Sequence, residues 1–178
     1  MLEIQRSHAA IVECHASPLA LQSLPAMPRV HACRIAPDEL LLVAPPTLGD
    51  EVLRRAKAHL AGAEPETLVL DQSDGWAVFS LRGDDVMEPL RKLAVFPFPE
   101  ARPAFVQGAV AGGPAKLLLL PGVVHLLVPF PLRDHLERRL RDVCDAARTQ
   151  IAHGEVAFAS AAEPLPPLPP PIAGESTS

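Results

Sequence analysis

The order of apolar and polar positions predicts strands and irregular connections in the first part of the chain. Weak alternation over residues 1–13 predicts one strand. Residues 16–29 contain three prolines and predict an irregular connection, because proline has no backbone N–H to donate. Residues 39–43 are bulky and apolar after Glu39 and lie between prolines, which predicts a buried strand.

The helical period is clearest directly after this strand. Asp50 can cap a helix that Gly62 closes, since aspartate is favoured at N-caps and glycine just beyond helix ends. The apolar residues between them share one helical face: Val52, Leu53, Ala56 and Leu60. The pattern therefore predicts an amphipathic helix over residues 50–62.

Two short strands and a second helix are predicted next. Residues 67–70 and 76–81 have strand-like sequences and flank the turn-forming residues 73–75, which predicts a hairpin. Residues 83–93 predict a short helix. Pro89 should kink that helix or delay its start.

The second half contains a proline-rich aromatic segment, three strands and a long helix. Residues 95–105 carry Phe96, Phe98 and Phe105 among prolines, so we predict an extended loop there and not a central strand. Five apolar positions on one helical face predict a helix over residues 131–150. The strands predicted between them cover residues 106–110, 116–120 and 123–128.

Two parts of the chain resemble each other. Leu41-Leu-Val43, two prolines and a helix with paired arginines recur, about 85 residues later, as Leu126-Leu-Val128, two prolines and another such helix. This predicts an α+β fold of two related halves, each an antiparallel sheet with helices on one face. The alternative is a chance similarity of two leucine-rich strand–helix units.

Composition indicates a single globular domain. The chain has 178 residues, 48% of them hydrophobic, and a formal net charge of -5 at pH 7. These values argue against a disordered chain and against a basic nucleic-acid-binding protein. Since the last part of the chain is rich in proline, we predict one α+β domain over residues 1–158 and a disordered tail over residues 159–178.

Cysteine usage and hydropathy predict the compartment. The three cysteines, Cys14, Cys33 and Cys144, have unrelated spacings and do not indicate a disulfide framework. No apolar run approaches the roughly 20 residues that a membrane helix needs, and the first residues do not resemble a secretory signal. We therefore predict a cytoplasmic protein without a membrane or nucleic-acid partner.

One set of residues has the composition of a zinc site. Cys14-His15 and His31-Ala-Cys33 supply two thiols and two imidazoles, the ligand types that zinc prefers. Neighbours in a strand point to opposite faces, however, which favours small buried cysteines and scattered surface histidines.

Other candidate chemistry is sparse. Asp71, Asp74 and the pair Asp84-Asp85 could in principle supply acid–base groups, but a turn and a helix start also account for them. Gly112-Gly113 is not followed by the residues of a phosphate loop. We predict no catalytic, cofactor-binding or metal-binding residue in this chain.

Short motifs in a fixed order run through residues 17–150. They are Ser17-Pro-Leu19, Ile35-Ala-Pro-Asp-Glu-Leu-Leu-Leu-Val43, Asp71-Gln-Ser-Asp-Gly-Trp-Ala77, Leu81-Arg-Gly83, Pro103-Ala-Phe105 with Gly108, and Leu127-Val-Pro129. Together they resemble the gamma subunit of the heterotetrameric sarcosine oxidase family, whose fold is the folate-binding aminomethyltransferase fold.

The resemblance implies a non-catalytic accessory subunit of a flavin-dependent sarcosine oxidase or a related N-methyl amino acid or amine oxidoreductase. FAD, FMN, NAD and folate are then expected in larger partner subunits and not in this chain. Active aminomethyltransferases carry a Gly-Gly motif with nearby carboxylates, whereas Pro114-Ala115-Lys116 follows Gly112-Gly113 here. This departure disfavours the alternative, a free-standing folate-dependent aminomethyl transfer protein.

The aromatic segment is the candidate partner interface. A mean hydropathy of +0.18 is high for a small soluble chain and suggests that part of the surface meets a partner. Phe96, Phe98 and Phe105 are the candidate contacts, because large exposed rings are costly and the prolines exclude a sheet position. The alternative is that the rings cap this domain's own core.

Deleting residues 163–178 should change the free energy of unfolding by less than about 0.5 kcal/mol, because this segment lacks apolar periodicity. Chemical denaturation of the full and shortened chains measures the difference. A clearly larger loss would show that the tail packs against the domain.

Overall fold

A computed structural model of the chain describes residues 2–83, 86–144 and 149–153. The predicted tail, the pair Asp84-Asp85 and residues 145–148 of the predicted long helix lie outside the described residues. The first half contains β1 (Leu2–Ser7), β2 (Ala10–His15), α1 (Pro18–Gln22), β3 (His31–Ala36), β4 (Glu39–Ala44), α2 (Gly49–Ala63) and β5 (Leu68–Asp71). The second half contains β6 (Trp76–Arg82), α3 (Met87–Leu93), β7 (Ala104–Val110), β8 (Gly113–Leu120), β9 (Val123–Pro129), α4 (Arg133–Val143) and β10 (Thr149–His153).

The strands form two sheets, and helices cover the outer face of each sheet. The four-stranded sheet has the order β3-β4-β2-β5, and the six-stranded sheet has the order β10-β1-β6-β9-β8-β7. Every strand pair is antiparallel except β1 with β10. Residues of α2 share a core cluster with the four-stranded sheet, and residues of α3 and α4 share one with the six-stranded sheet.

The two sheets also pack against each other. In β4, Leu40 and Leu42 face α2, whereas Leu41 and Val43 belong to a cluster that includes Leu118 of the other sheet. Strands buried on both faces read as continuous apolar runs, which explains the runs in the sequence. The layers therefore follow the order helix, sheet, sheet, helices, and the predicted α+β class is confirmed.

The predicted related halves share a backbone geometry where strand meets helix. Pro45 after β4 has φ −55° and ψ 144°, and Pro129 at the end of β9 has φ −50° and ψ 134°. A 3₁₀ turn follows each proline, and the N-cap residues Leu48 and Leu132 both have ψ −1°. Asp50 and Gly62 lie inside α2, so the predicted capping roles of these two residues are wrong.

Two further predictions for the first half were wrong. Residues 1–13 contain two strands, because the chain crosses from one sheet to the other between Ser7 and Ala10. The connection over residues 16–29 contains α1, whose first turn is capped by Ser17 Oγ accepting from Ala20 N at 3.2 Å. Serine at the N-cap with proline directly after it is a favourable helix start.

The predicted hairpin of residues 67–70 and 76–81 does not form. β5 pairs with β2 in the four-stranded sheet, whereas β6 pairs with β1 and β9 in the other sheet. The turn between them therefore leads from one sheet to the other, and long-range pairing decides where each strand lies.

Two boundaries in the second half also differ from prediction. β7 begins at Ala104, so Phe105 is a strand residue and not part of a loop. The long helix ends at Val143. Thr149 and Gln150, which were predicted as helical, begin β10 (Thr149–His153), and β10 pairs with the backbone of β1. The late start predicted for the helix around Pro89 is confirmed: α3 begins at Met87, and Pro89 occupies its first turn, where no N–H is needed.

In the part of the chain that the structure describes, none of the helices combines the length and the apolar character needed to cross a membrane.

Leu118→Ala should lower the free energy of unfolding by about 2–5 kcal/mol, because it leaves a cavity between the sheets around a fully buried side chain. The matched control is Val95→Ala, which should cost less than about 0.5 kcal/mol because Val95 is 88% exposed. Chemical denaturation measures both values. Equal losses for the two variants would contradict the assignment of Leu118 to the packed layer.

Candidate functional site

The aromatic segment lies along the outer edge of β7. Ala94 forms an isolated antiparallel bridge with Val110, and the N–H of Ala111 donates to the Leu93 carbonyl at 2.8 Å. The Phe96 ring covers Gly108 so closely that an added Cβ there would lie 2.5 Å from two ring carbons. Prolines keep the segment from pairing as a strand, yet it shields the edge of the sheet.

The three predicted interface phenylalanines do not form one surface. Phe96 and Phe98 are half-buried, their ring centroids lie 5.1 Å apart, and both rings pack against the core of the six-stranded sheet. Phe105 packs instead with the cluster between the two sheets. The interface assignment of these residues stays a prediction. The exposed apolar side chain of this segment is Val95, which sequence analysis did not single out.

A row of hydrogen-bonded polar side chains lies in the layer between the sheets. Ser7 Oγ lies 3.2 Å from Ser80 Oγ, and Ser80 Oγ lies 2.9 Å from His125 Nδ1 in a hydrogen bond. These three residues and His31 are each at most 4% exposed. Sequence analysis missed this group. A single polar residue inside each of the apolar strands β6 and β9 was the available signal.

Burial sets the protonation state of the histidines in and beside this row of polar side chains. Desolvation, helped by the nearby His31 and Arg82, lowers the pKa of His125 to about 3, so its imidazole is neutral at pH 7. Burial also lowers the pKa of His31. A serine next to a neutral histidine is the arrangement of an activated nucleophile. Ser80 and His125 are each 1% exposed, however, so a substrate does not reach this pair.

The four zinc-type ligands are separated by the sheet. Cys14 faces α2, whereas Cys33 packs in the layer between the sheets. Burial raises the pKa of each thiol to about 12, so both stay protonated. His15 bonds to Glu13 Oε1 at 2.7 Å. Within the part of the chain that the structure describes, no group of three or more His, Cys, Asp or Glu side chains could hold a metal ion.

The other predicted candidates have structural roles. Asp71 Oδ1 accepts from Ser73 N at 3.0 Å and from Ser73 Oγ at 2.6 Å, which orders the turn after β5. Ala111 and Gly112 both have positive φ angles, 54° and 81°, in a two-residue hairpin turn between β7 and β8. Gly113 leaves room for Leu132, because an added Cβ would lie 2.9 Å from its Cδ1.

A charged pocket of about 240 Å³ lies between β1 and α4. Arg6 donates to Asp134 Oδ1 at 3.1 Å and to Glu137, and Arg141 donates to Glu137 Oε1 at 2.6 Å. Burial raises the pKa of Glu137, but the hydrogen bonds from Arg141 and Arg6 outweigh it and leave the pKa below its usual value. The carboxylate thus stays ionised and ties β1 to α4.

The fold has relatives among solved structures. No protein-family model matches the chain, and no curated protein matches it significantly. The chain is similar to heterotetrameric sarcosine oxidase from Corynebacterium sp. U-96 in complex with pyrrole 2-carboxylate, with a TM-score of 0.66 and 19% identity. That match covers 80% of this chain and 83% of that chain.

A second similar structure is glycine cleavage system aminomethyltransferase T from Bartonella henselae, with a TM-score of 0.61 and 14% identity. The match covers 85% of this chain and 47% of that chain, so this chain spans about half of that aminomethyltransferase. The chain has an aminomethyltransferase-like fold. The similarity confirms the fold that the sequence motifs predicted.

The free energy of unfolding should fall as the pH drops from about 6 towards 4, because the unfolded chain takes up a proton on His125 that the folded chain excludes. This residue alone should contribute about 1.4 kcal/mol per pH unit, and His125→Gln should remove that contribution. Chemical denaturation at several pH values measures the slopes. The exposed His8→Gln serves as control, and an unchanged slope in the His125 variant would refute the assignment.

Gly108→Ala should destabilise the chain by about 1–3 kcal/mol, because its methyl group meets the Phe96 ring. Phe96→Leu in the same chain should recover part of this loss. Gly62→Ala is the matched control: an added Cβ meets nothing within 4 Å in α2, so this change should stabilise by about 0.5–1 kcal/mol. Thermal and chemical denaturation measure the stability of each variant. A Gly108→Ala variant as stable as the unchanged chain would contradict the position of the Phe96 ring over Gly108.

Proposed function

We propose that this chain is a non-catalytic, gamma-like accessory subunit that supports the assembly of a heteromeric flavin-dependent sarcosine oxidase or a related N-methyl amino acid or amine oxidoreductase. The observation that carries the proposal is the near equality of the two coverages in the match to heterotetrameric sarcosine oxidase. The aligned part makes up almost the same share of both chains, so the two chains have about the same length and fold.

The second structural match supports the same reading. This chain corresponds to 47% of the aminomethyltransferase chain. The match therefore extends over about half of that enzyme, which favours a supporting role over the transfer chemistry of the whole enzyme.

The placement of reactive side chains agrees with a supporting role. Ser80 and His125 are enclosed between the sheets, and the Cys14 and Cys33 thiols are buried and protonated. At the pocket between β1 and α4, ion pairs within the chain join Arg6, Asp134, Glu137 and Arg141. Under this proposal, FAD, FMN, NAD and folate belong to larger flavin-binding partner subunits, and the complex is cytoplasmic.

The alternative is a free-standing folate-dependent aminomethyl transfer protein. The similarity to aminomethyltransferase T is the observation in its favour. Titration calorimetry of the purified chain with tetrahydrofolate separates the two functions. Stoichiometric binding by the isolated chain would favour the alternative, and no binding is expected for the accessory subunit.

Purification of the affinity-tagged chain from its native host tests the accessory role. We expect a flavoprotein to co-purify in a constant ratio, with visible flavin absorbance and sarcosine- or amine-dependent reduction of an electron acceptor. Recovery of the tagged chain alone, or with proteins that carry no flavin, would contradict the proposal.

A further inference from the structure

Strand β5 forms an edge of the four-stranded sheet, and no described strand pairs with its outer side. Gln72 N donates to the Ile11 carbonyl at 2.8 Å, next to the β2–β5 ladder. Ladder bonds of an antiparallel pair recur at alternate residues, so the N–H and C=O groups of Val69 and Asp71 point outwards. Such an edge is a template on which a further strand can add.

The other half of the fold holds a further strand at the corresponding side. In the six-stranded sheet β6 lies beside β9 as β2 lies beside β4 in the other sheet, and β1 lies on the far side of β6 as β5 lies on the far side of β2. The outer side of β1 pairs in parallel with β10 over Thr149–His153. Beyond β5 the described part of the chain provides no such strand. The architecture therefore accommodates one more strand at this side of a sheet.

An exposed apolar side chain lies on this edge strand. Leu68, the first residue of β5, is 51% exposed. Because side chains alternate along a strand, Leu68 points away from the face on which Val69 packs with α2. A large exposed leucine is a contact for an apolar side chain of an added segment.

The surroundings of β5 are negatively charged. Glu64 and Glu66 precede the strand, Asp71 ends it and Asp74 follows it, while the sequence contains no lysine or arginine between residues 57 and 82. Hydrogen bonds from Ser17 and Ser73 lower the pKa of Glu64 and Asp71, respectively, so both carboxylates are ionised at pH 7. Like-charge repulsion therefore opposes pairing of β5 with β5 of a second copy.

We propose that the outer edge of β5 binds an extended apolar segment of a partner protein that carries lysine or arginine residues on both sides and adds as a fifth strand. The inference rests on the proposed function, because it names the surface through which the accessory subunit binds its larger partner. Backbone hydrogen bonds hold the segment, Leu68 contacts its apolar side chains, and the carboxylates select its charge.

A peptide probe tests the edge without any partner protein. The full chain, labelled with ¹⁵N, is titrated with Lys-Lys-Val-Thr-Val-Thr-Val-Lys-Lys and with the same peptide carrying glutamate at the lysine positions. We expect the lysine peptide to protect the Val69 and Asp71 amides from exchange and to bind at least about tenfold more tightly than the glutamate peptide at low salt. Equal binding of the two peptides, or no protection of these amides, would overturn the proposal.

Variants of the full chain define the site. Leu68→Lys should weaken binding of the lysine peptide by about tenfold or more, through lost apolar contact and added like charge. Val95→Lys, which introduces the same charge on an exposed residue of the other half, should bind like the unchanged chain. Circular dichroism checks folding. If Leu68→Lys does not fold, Leu68→Ser replaces it, and unimpaired binding by a folded variant at Leu68 would refute the proposed site. Concentration-dependent dimerisation that Leu68→Lys abolishes would show a second copy as the occupant and would overturn the proposal.

Purification from the native host separates this inference from the proposed function. If a flavoprotein co-purifies with both the unchanged chain and Leu68→Lys, the accessory role stands and the β5 edge is refuted. If the lysine peptide protects Val69 and Asp71 but no flavoprotein co-purifies, the edge stands and the proposed function fails.

Discussion

The fold depends on apolar contact between the two sheets. Leu41 and Val43 from one sheet meet Leu118 and Leu127 from the other, and each of these side chains is at most 1% exposed. The opposite faces of the same strands are covered by helices. Because both faces of the central strands are buried from solvent, these strands accommodate only side chains that are apolar or fully hydrogen-bonded. The helices, the edges and the chain crossings between sheets are arranged around this layer.

The same constraint determines where chemistry can take place. Ser7, Ser80 and His125 satisfy one another inside the layer, and the low dielectric keeps the histidine neutral. The Ser80–His125 pair is therefore structural. What the described surface offers instead is a shielded edge at β7, an open edge at β5 and scattered exposed leucine and valine side chains. This distribution agrees with the proposed accessory role.

The sheet edges at β7 and β5 differ in how far the chain covers them, which affects how the chain can bind a partner. Phe96 closes over Gly108 beside β7, so that edge is covered by the chain's own residues. β5 is short, apolar over its first three residues, and bordered by carboxylates. The negative charge discourages pairing between identical chains without preventing the addition of a basic segment, since repulsion acts only between like charges.

The sequence by itself determined the elements that depend on local periodicity and local geometry. Apolar runs followed by proline and an amphipathic pattern predicted β4 with α2 and β9 with α4, and the missing N–H of Pro89 predicted the late start of α3. Tertiary structure alone decided that β5 and β6 lie in different sheets, that residues 149–153 pair with β1, and that Phe105 faces another layer than Phe96. Local pattern sets which face of an element is apolar, whereas the partner of a strand depends on residues far away in the chain. The candidate surfaces at the sheet edges follow from that partner choice, so only the folded chain reveals them.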